Sequence, residues 1–204
     1  MNVLIISANS LAASPTGPAY IAGAARRAGH TVEILECLFA DSEIGMEAEI
    51  EARVRRFQPD VVGVSIRLVH GYLIDAAAPY NTRHVDLRPN VKRVVDAVRR
   101  VTDAPILLGG PGFNYYARDW LEYLGLNYGI CGEADFAFPL YLERLEASRK
   151  PPLDDMGDIP GCACLRDGQF HTQPRDWVQD LDATALPAYD LLDLPRYQEA
   201  GISP

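Results

Sequence analysis

Five short apolar runs punctuate the chain: residues 2–7 (NVLIIS), 31–35 (TVEIL), 61–66 (VVGVSI), 104–108 (APILL) and 127–131 (NYGIC). The first and third are almost unbroken Val, Ile and Leu, the pattern of strands buried on both faces of a parallel sheet. Between the runs the spacing becomes helical. Residues 17–28 follow Pro15 and stop at Gly29, where a glycine can close a helix. Residues 46–57 repeat Ile50, Val54 and Phe57 before Pro59 interrupts. Residues 89–101 open with Pro89 and carry Val91, Val94, Val95 and Val98 on one face. Residues 115–124 end at Gly125, and residues 134–147 complete the alternation.

This β-α alternation, with right-handed crossovers, predicts an α/β fold. It is a doubly wound, five-stranded parallel sheet of flavodoxin-like (Rossmann-like) type, in the order 2-1-3-4-5. Two regions depart from the repeat. Residues 67–88 form a long connection after the third strand, and a connection of that length is expected to be functional. After Lys150 the character changes: Pro151, Pro152, Asp154 and Asp155 read as a linker. Residues 161–165 and 169–172 flank Asp167-Gly168, a pair suited to a tight turn, and predict a β-hairpin. The Pro-, Asp- and Leu-rich tail from Trp177 reads as an extended connector. The expected organisation is one domain over residues 1–150, then linker, hairpin and connector over residues 151–204.

Composition changes this picture little. Hydrophobic residues make up 48% and charged residues 23%, as in ordinary globular proteins. The net charge of −9 argues against a nucleic-acid or anionic-membrane surface, both of which need basic patches. Residues 1–8 are apolar but lack the basic start of a signal peptide, and no stretch reaches membrane-spanning length, so a cytoplasmic location is expected. Cys37, Cys131, Cys162 and Cys164 include no CxxC pair. They are expected to be reduced and structural, with no metal site.

In an open α/β sheet, ligands bind beyond the carboxyl ends of the strands, near the point where strand order reverses. After strand one come Asn9, Ser10, Pro15 and Gly17, with Tyr20 one turn into the helix. After strand three come Ser65, Arg67 and Leu68; after strand four Gly109, Gly110, Pro111, Gly112 and Phe113; after strand five Gly132, Glu133 and Asp135. Each has a plain structural reading. The glycines make a tight turn, or they clear room for a flat ring. Ser65 is a satisfied hydroxyl or a donor to a ligand. Gly17 caps a helix or lets a phosphate reach its free N–H groups. Glu133 and Asp135 complement a helix dipole or line a pocket. Four such loops at one edge favour a pocket over any one of the plain readings.

As an ordered set, these segments resemble the cobalamin-binding domain of cobalamin-dependent radical S-adenosylmethionine enzymes. The segments are Ser14-Pro15-Thr16-Gly17-Pro18-Ala19-Tyr20, Pro59-Asp60-Val61-Val62-Gly63-Val64-Ser65, Gly109-Gly110-Pro111 and Gly132-Glu133-Ala134-Asp135. The resemblance implies that cobalamin binds base-off, its nucleotide tail inserted beside the sheet. Ser65 would touch that tail, Gly109 and Gly110 would allow close approach, Gly132 and Glu133 would line the far end, and residues 9–17 would lie beneath the corrin. It implies a radical barrel in the same polypeptide, with S-adenosylmethionine and a [4Fe–4S] cluster, and methyl transfer as the chemistry of the whole, with ring formation or another radical rearrangement as the alternative. The chain by itself is expected to bind cobalamin and catalyse nothing.

Two departures from the family pattern bear on this. The Asp-x-His-x-x-Gly motif that supplies a cobalt-ligating histidine in other cobalamin domains is absent after strand one. Arg67 is then a candidate to cap the lower face of cobalt, with His70 a rival ligand; His30 and His84 read as structural or exposed. The CxxxCxxC of the radical enzymes is also absent, so residues 151–204 are expected to lead toward a domain outside this sequence. Three other readings stay open: a stand-alone cobalamin carrier or sensor, a flavodoxin-like module binding FMN or a nucleotide, and a receiver-type signalling domain. The last needs acidic residues after strand one and an aspartate at the end of strand three, where this chain has Asn9 and Ser65.

Overall fold

A computed structural model describes residues 1–9, 15–40, 45–74, 82–148 and 158–202. Strands β1 (Asn2–Asn9), β2 (Thr31–Glu36) and β3 (Val61–Ile66) alternate with helices α1 (Thr16–Arg27) and α2 (Met46–Phe57). Strands β4 (His70–Ile74) and β5 (Thr82–Asp86) pair as a separate antiparallel hairpin inside the long connection. Helix α3 (Arg88–Arg99), strand β6 (Ile106–Gly109), the short helix α4 (Pro111–Asn114), helix α5 (Ala117–Leu124), strand β7 (Tyr128–Ile130) and helix α6 (Ala137–Ser148) complete the repeat. Strands β8 (Cys162–Arg166) and β9 (Gln169–Thr172) and helix α7 (Leu194–Glu199) follow.

The main sheet runs β2-β1-β3-β6-β7-β8-β9. Its first five strands are mutually parallel, which is the expected 2-1-3-4-5 order. The predicted hairpin forms with Asp167 and Gly168 both at positive φ, 49° and 75°, the turn that matches strand twist. It is not a free appendage: β8 pairs antiparallel with β7 and extends the sheet.

Alternation along the strands divides two cores. Leu4, Ile6, Val62, Val64 and Leu108 face α2, α3 and α5, where Val91, Val94, Val98 and Trp120 meet them. Val3, Ile5, Ile34 and Leu107 face α1 and α6, where Ala19, Ala22, Phe138 and Tyr141 meet them. The α1 residues buried against this face are small: Ala19, Ala22 and Ala25.

The tail departs from the sequence expectation. It folds back on the α1 face through 3-10 turns at Leu181–Ala183 and Tyr189–Leu191 and then α7. Ala188, Leu192 and Tyr197 are buried there. Three buried apolar anchors supply the driving force that a freely extended connector lacks.

Candidate functional site

The carboxyl ends of β1, β3, β6 and β7 share one edge, and a cavity of about 430 Å³ opens there, within the usual size range of ligand pockets. It lies on the α1 and α6 face, between Pro18 and Ile21 of α1, Phe138 of α6 and the sheet. The sheet itself makes the space. On this face Ser7, Ser65 and Gly109 stand side by side in register across β1, β3 and β6, and Ile5, Gly63 and Leu107 form the next row inward. Small residues replace the Val and Ile expected at such central positions, so a slot remains between sheet and helices.

Local geometry shows which glycines leave room for a ligand. A Cβ at Gly63 would find nothing nearer than Ile5 Cγ1 at 3.8 Å, and one at Gly109 nothing nearer than the Ile130 carbonyl at 3.7 Å. Both contacts are ordinary, so both glycines hold open space. Gly110 differs. Its φ is +94°, and a Cβ there would stand 2.6 Å from the Ile66 carbonyl and 3.0 Å from Ser65 Oγ. The chain's own turn uses that glycine.

The lining is mostly apolar. Its charged members among the described residues are Arg67, Glu133 and Asp135. Ser7 is buried at the floor, and the start of α1 at Thr16 and Gly17 borders the slot, where helix N–H groups favour an anionic group. At the β7 end, the Gly132 amide donates to Asn114 Oδ1 at 3.0 Å, and Glu133 accepts from the Val178 amide at 2.6 Å. Burial first, and the neighbouring Glu133 charge, push the Asp135 carboxyl above its ordinary range.

Of the residues singled out by sequence, Pro15, Gly17, Tyr20, Ser65, Arg67, Gly109, Gly110, Pro111, Gly132 and Glu133 line this cavity. Gly112 and Phe113 do not. A Cβ at Gly112 would crowd Ile66 Cγ2 at 3.0 Å, and Phe113 is fully buried in the opposite core. Leu68 also lies outside the lining. Asn9 ends β1, with its side chain outside the described ones; Ser10 lies outside the described residues, and so does the side chain of His70, whose backbone opens β4. Sequence reasoning passed over Ser7, Gly63 and Asn114. The first two carried a usable signal, since a Ser and a Gly interrupt apolar runs at inward positions of central strands. Asn114 carried none.

A family model for the B12 binding domain matches residues 3–142. An uncharacterized methyltransferase of Pyrococcus horikoshii is 25% identical over 191 residues, covering 92% of this chain and 36% of that protein. Tryptophan 2-C-methyltransferase of Streptomyces laurentii is 41% identical over 44 residues, 22% of this chain and 7% of that protein. Among solved structures, the fold matches the radical S-adenosylmethionine methyltransferase TsrM from Kitasatospora setae with cobalamin and [4Fe–4S] cluster bound. There the TM-score is 0.69 and the identity 21%, over 91% of this chain and 31% of that one. It also matches the cobalamin-dependent S-adenosylmethionine radical enzyme OxsB with aqua-cobalamin bound, with TM-score 0.73 and identity 11%, over 97% and 25%. This chain spans 36% of the length of the Pyrococcus methyltransferase and less of the others.

Proposed function

The chain belongs to the B12 binding domain family, and from that premise we propose that it holds cobalamin base-off, with the nucleotide tail in the slot between α1, α6 and the sheet. The observation that carries this reading is the small-residue floor. Ser7, Ser65, Gly63 and Gly109 leave a deep space where a stand-alone α/β domain would pack side chains.

The residues present fit such a group. The apolar walls suit a flat aromatic base. The hydroxyls of Ser7 and Ser65 offer donors and acceptors at the floor, and the start of α1 offers amide N–H groups to a phosphate. Arg67 stands at the mouth as the cationic candidate for the lower face of cobalt. A cation there disfavours a more positive metal state. When bound, cobalamin supplies a cobalt centre able to carry a methyl group. The protein positions that cofactor and shields it from water.

We further propose that the domain serves a radical S-adenosylmethionine methyltransferase, presenting cobalamin to a barrel that also holds S-adenosylmethionine and a [4Fe–4S] cluster. The support for methyl transfer is the methyltransferase names of the Pyrococcus and Streptomyces relatives, which are longer than this chain. The support for the barrel and its cofactors is the likeness to TsrM, a radical S-adenosylmethionine methyltransferase with cobalamin and [4Fe–4S] cluster bound.

The test is direct. The purified chain is mixed with hydroxocobalamin, desalted, and its visible spectrum recorded. Retained corrin with a base-off spectrum is the expected result. A histidine-ligated spectrum that His70→Ala abolishes would move the lower ligand to His70. Retention of FMN in place of corrin would overturn the cobalamin reading.

A further inference from the structure

The match to the B12 binding domain ends at residue 142, yet the chain beyond it touches lining residues at the β7 end of the slot and docks on α1 and on Glu36 of β2 beside it. We propose that the C-terminal segment, residues 175–202, is a working part of the cofactor site: a clasp, with Tyr197 as a positioning residue. The inference rests on the cobalamin reading above.

The clasp first meets the β7 end of the slot. Arg175 donates to the Asn114 carbonyl at 2.9 Å and packs against Gly132, and the Val178 amide donates to Glu133. Asn114, Gly132 and Glu133 all line the cavity. The clasp then crosses the outer side of α1, the helix that forms the slot's wall. Here Arg27 donates to the Ala183 carbonyl at 2.6 Å, Arg26 pairs with Asp190 at 2.7 Å, and the Ala188 amide donates to the Ala19 carbonyl at 2.9 Å. Gly23 is the keyed position. A Cβ there would stand 2.1 Å from the Leu186 carbonyl oxygen, so only glycine admits the docked segment.

The third contact lies beside the slot floor. Glu36 pairs in register with Ser7 on the same face of the sheet. Its carboxylate accepts from the Tyr197 hydroxyl and, at 3.4 Å, from the Asp193 amide. Tyr197 is fully buried and edge-on to Phe39, with ring centroids 4.5 Å apart. Arg67, at the slot mouth, lies within electrostatic reach of the Tyr197 hydroxyl. Tyr197 thus fixes Glu36 at the end of the row Glu36-Ser7-Ser65-Gly109. A segment that holds α1 and both ends of the floor sets the width of the slot. Cofactor binding and clasp docking must then favour each other equally, because such coupling is reciprocal.

The experiment combines hydroxocobalamin titration with amide hydrogen exchange on the wild-type chain and on Gly23→Ala and Tyr197→Phe. The Ala188 amide reports docking without lining the slot, and Val95 on the opposite face is the reference. In Gly23→Ala, Ala188 exchanges faster while Val95 is unchanged, and hydroxocobalamin binds about 5-fold or more weakly, the low end of coupling between linked sites. Tyr197→Phe, which keeps the ring and removes only the hydroxyl, moves both readings the same way by less. Saturating the wild type with hydroxocobalamin slows Ala188 exchange by the factor that Gly23→Ala loses in affinity. A clasp freed in either variant with wild-type affinity, or wild-type saturation that leaves Ala188 unchanged, overturns the proposal while the cobalamin reading stands. A wild-type chain that retains no corrin removes the cobalamin reading itself, and the clasp with it.

Discussion

Gly63 and Ile5 face each other in register across β3 and β1, and Ile5 Cγ1 at 3.8 Å is the nearest atom to where a Gly63 side chain would begin. A central strand has room here that it does not fill. Glycine inside a strand costs about 0.5–1 kcal/mol relative to alanine, so the sequence gives up stability to keep the slot open. Gly63→Val should therefore fold at least as stably as wild type, measured by urea midpoint, while losing hydroxocobalamin retention. A variant that retains the corrin at wild-type affinity would show that the tail does not use this space.

Gly110→Ala should separate the other way. The position has φ +94°, and its added Cβ would meet backbone of β3 at 2.6 Å. Strained backbone of this kind costs about 1–3 kcal/mol before any clash is counted. The expected result is a clear drop in the urea midpoint, with any loss of corrin following from stability. Gly63→Val and Gly110→Ala should thus give different signatures.

The strands of the main sheet and their order are legible because apolar runs and helical spacing alternate over residues 2–66 and 89–147; the β4-β5 hairpin falls in the long connection, where that alternation is broken. The edge carrying the site followed from topology, so Ser65, Gly109 and Glu133 could be named in advance. The floor was harder to see. Ser7 and Gly63 show in the sequence only as small residues inside apolar runs, and register is what joins them with Ser65 and Gly109 into one floor. Gly112 and Phe113 share the turn signal of Gly109-Gly110-Pro111 in the sequence, but Phe113 turns into the far core. The clasp was hidden for a physical reason. Its anchors, Ala188, Leu192 and Tyr197, are too sparse to show periodicity, and what they dock on is set by α1 and Glu36, more than 150 residues away in sequence.

The cysteines should behave as inert thiols. Burial pushes Cys162 up to about 12, helped by Cys164 and Cys131 beside it, and burial with the Glu49 and Glu47 charges does the same for Cys37. Burial also raises Cys131, against the pull of Arg175, and Cys164. A thiol at that level holds about one thiolate in ten thousand near pH 8, and the thiolate is the reactive form. Titration of the native protein with an aromatic disulfide reagent should show no fast-reacting thiol, and denaturation should release all four. A fast native thiol would contradict the burial described here.

Glu36 should make the fold less stable as pH rises. Burial raises its carboxyl above the ordinary value, and the hydrogen bonds from Tyr197 and Asp193 only partly offset that. A folded pKa above the unfolded one means that the native state binds the proton more tightly. The stabilisation is fully present below the ordinary carboxylate value and is lost as pH rises through the raised folded value. Near neutral pH the ionised carboxylate therefore weakens the fold. Glu36→Gln keeps an oxygen to accept the Tyr197 hydroxyl but cannot ionise. Its urea midpoint should match wild type at about pH 4 and exceed it at about pH 7, and the difference should grow across the interval between the two pKa values. Other titrating groups are common to both proteins and cancel in the comparison. A variant weaker than wild type at neutral pH would mean that the charge on Glu36, and not only its acceptor oxygen, holds Tyr197 in place.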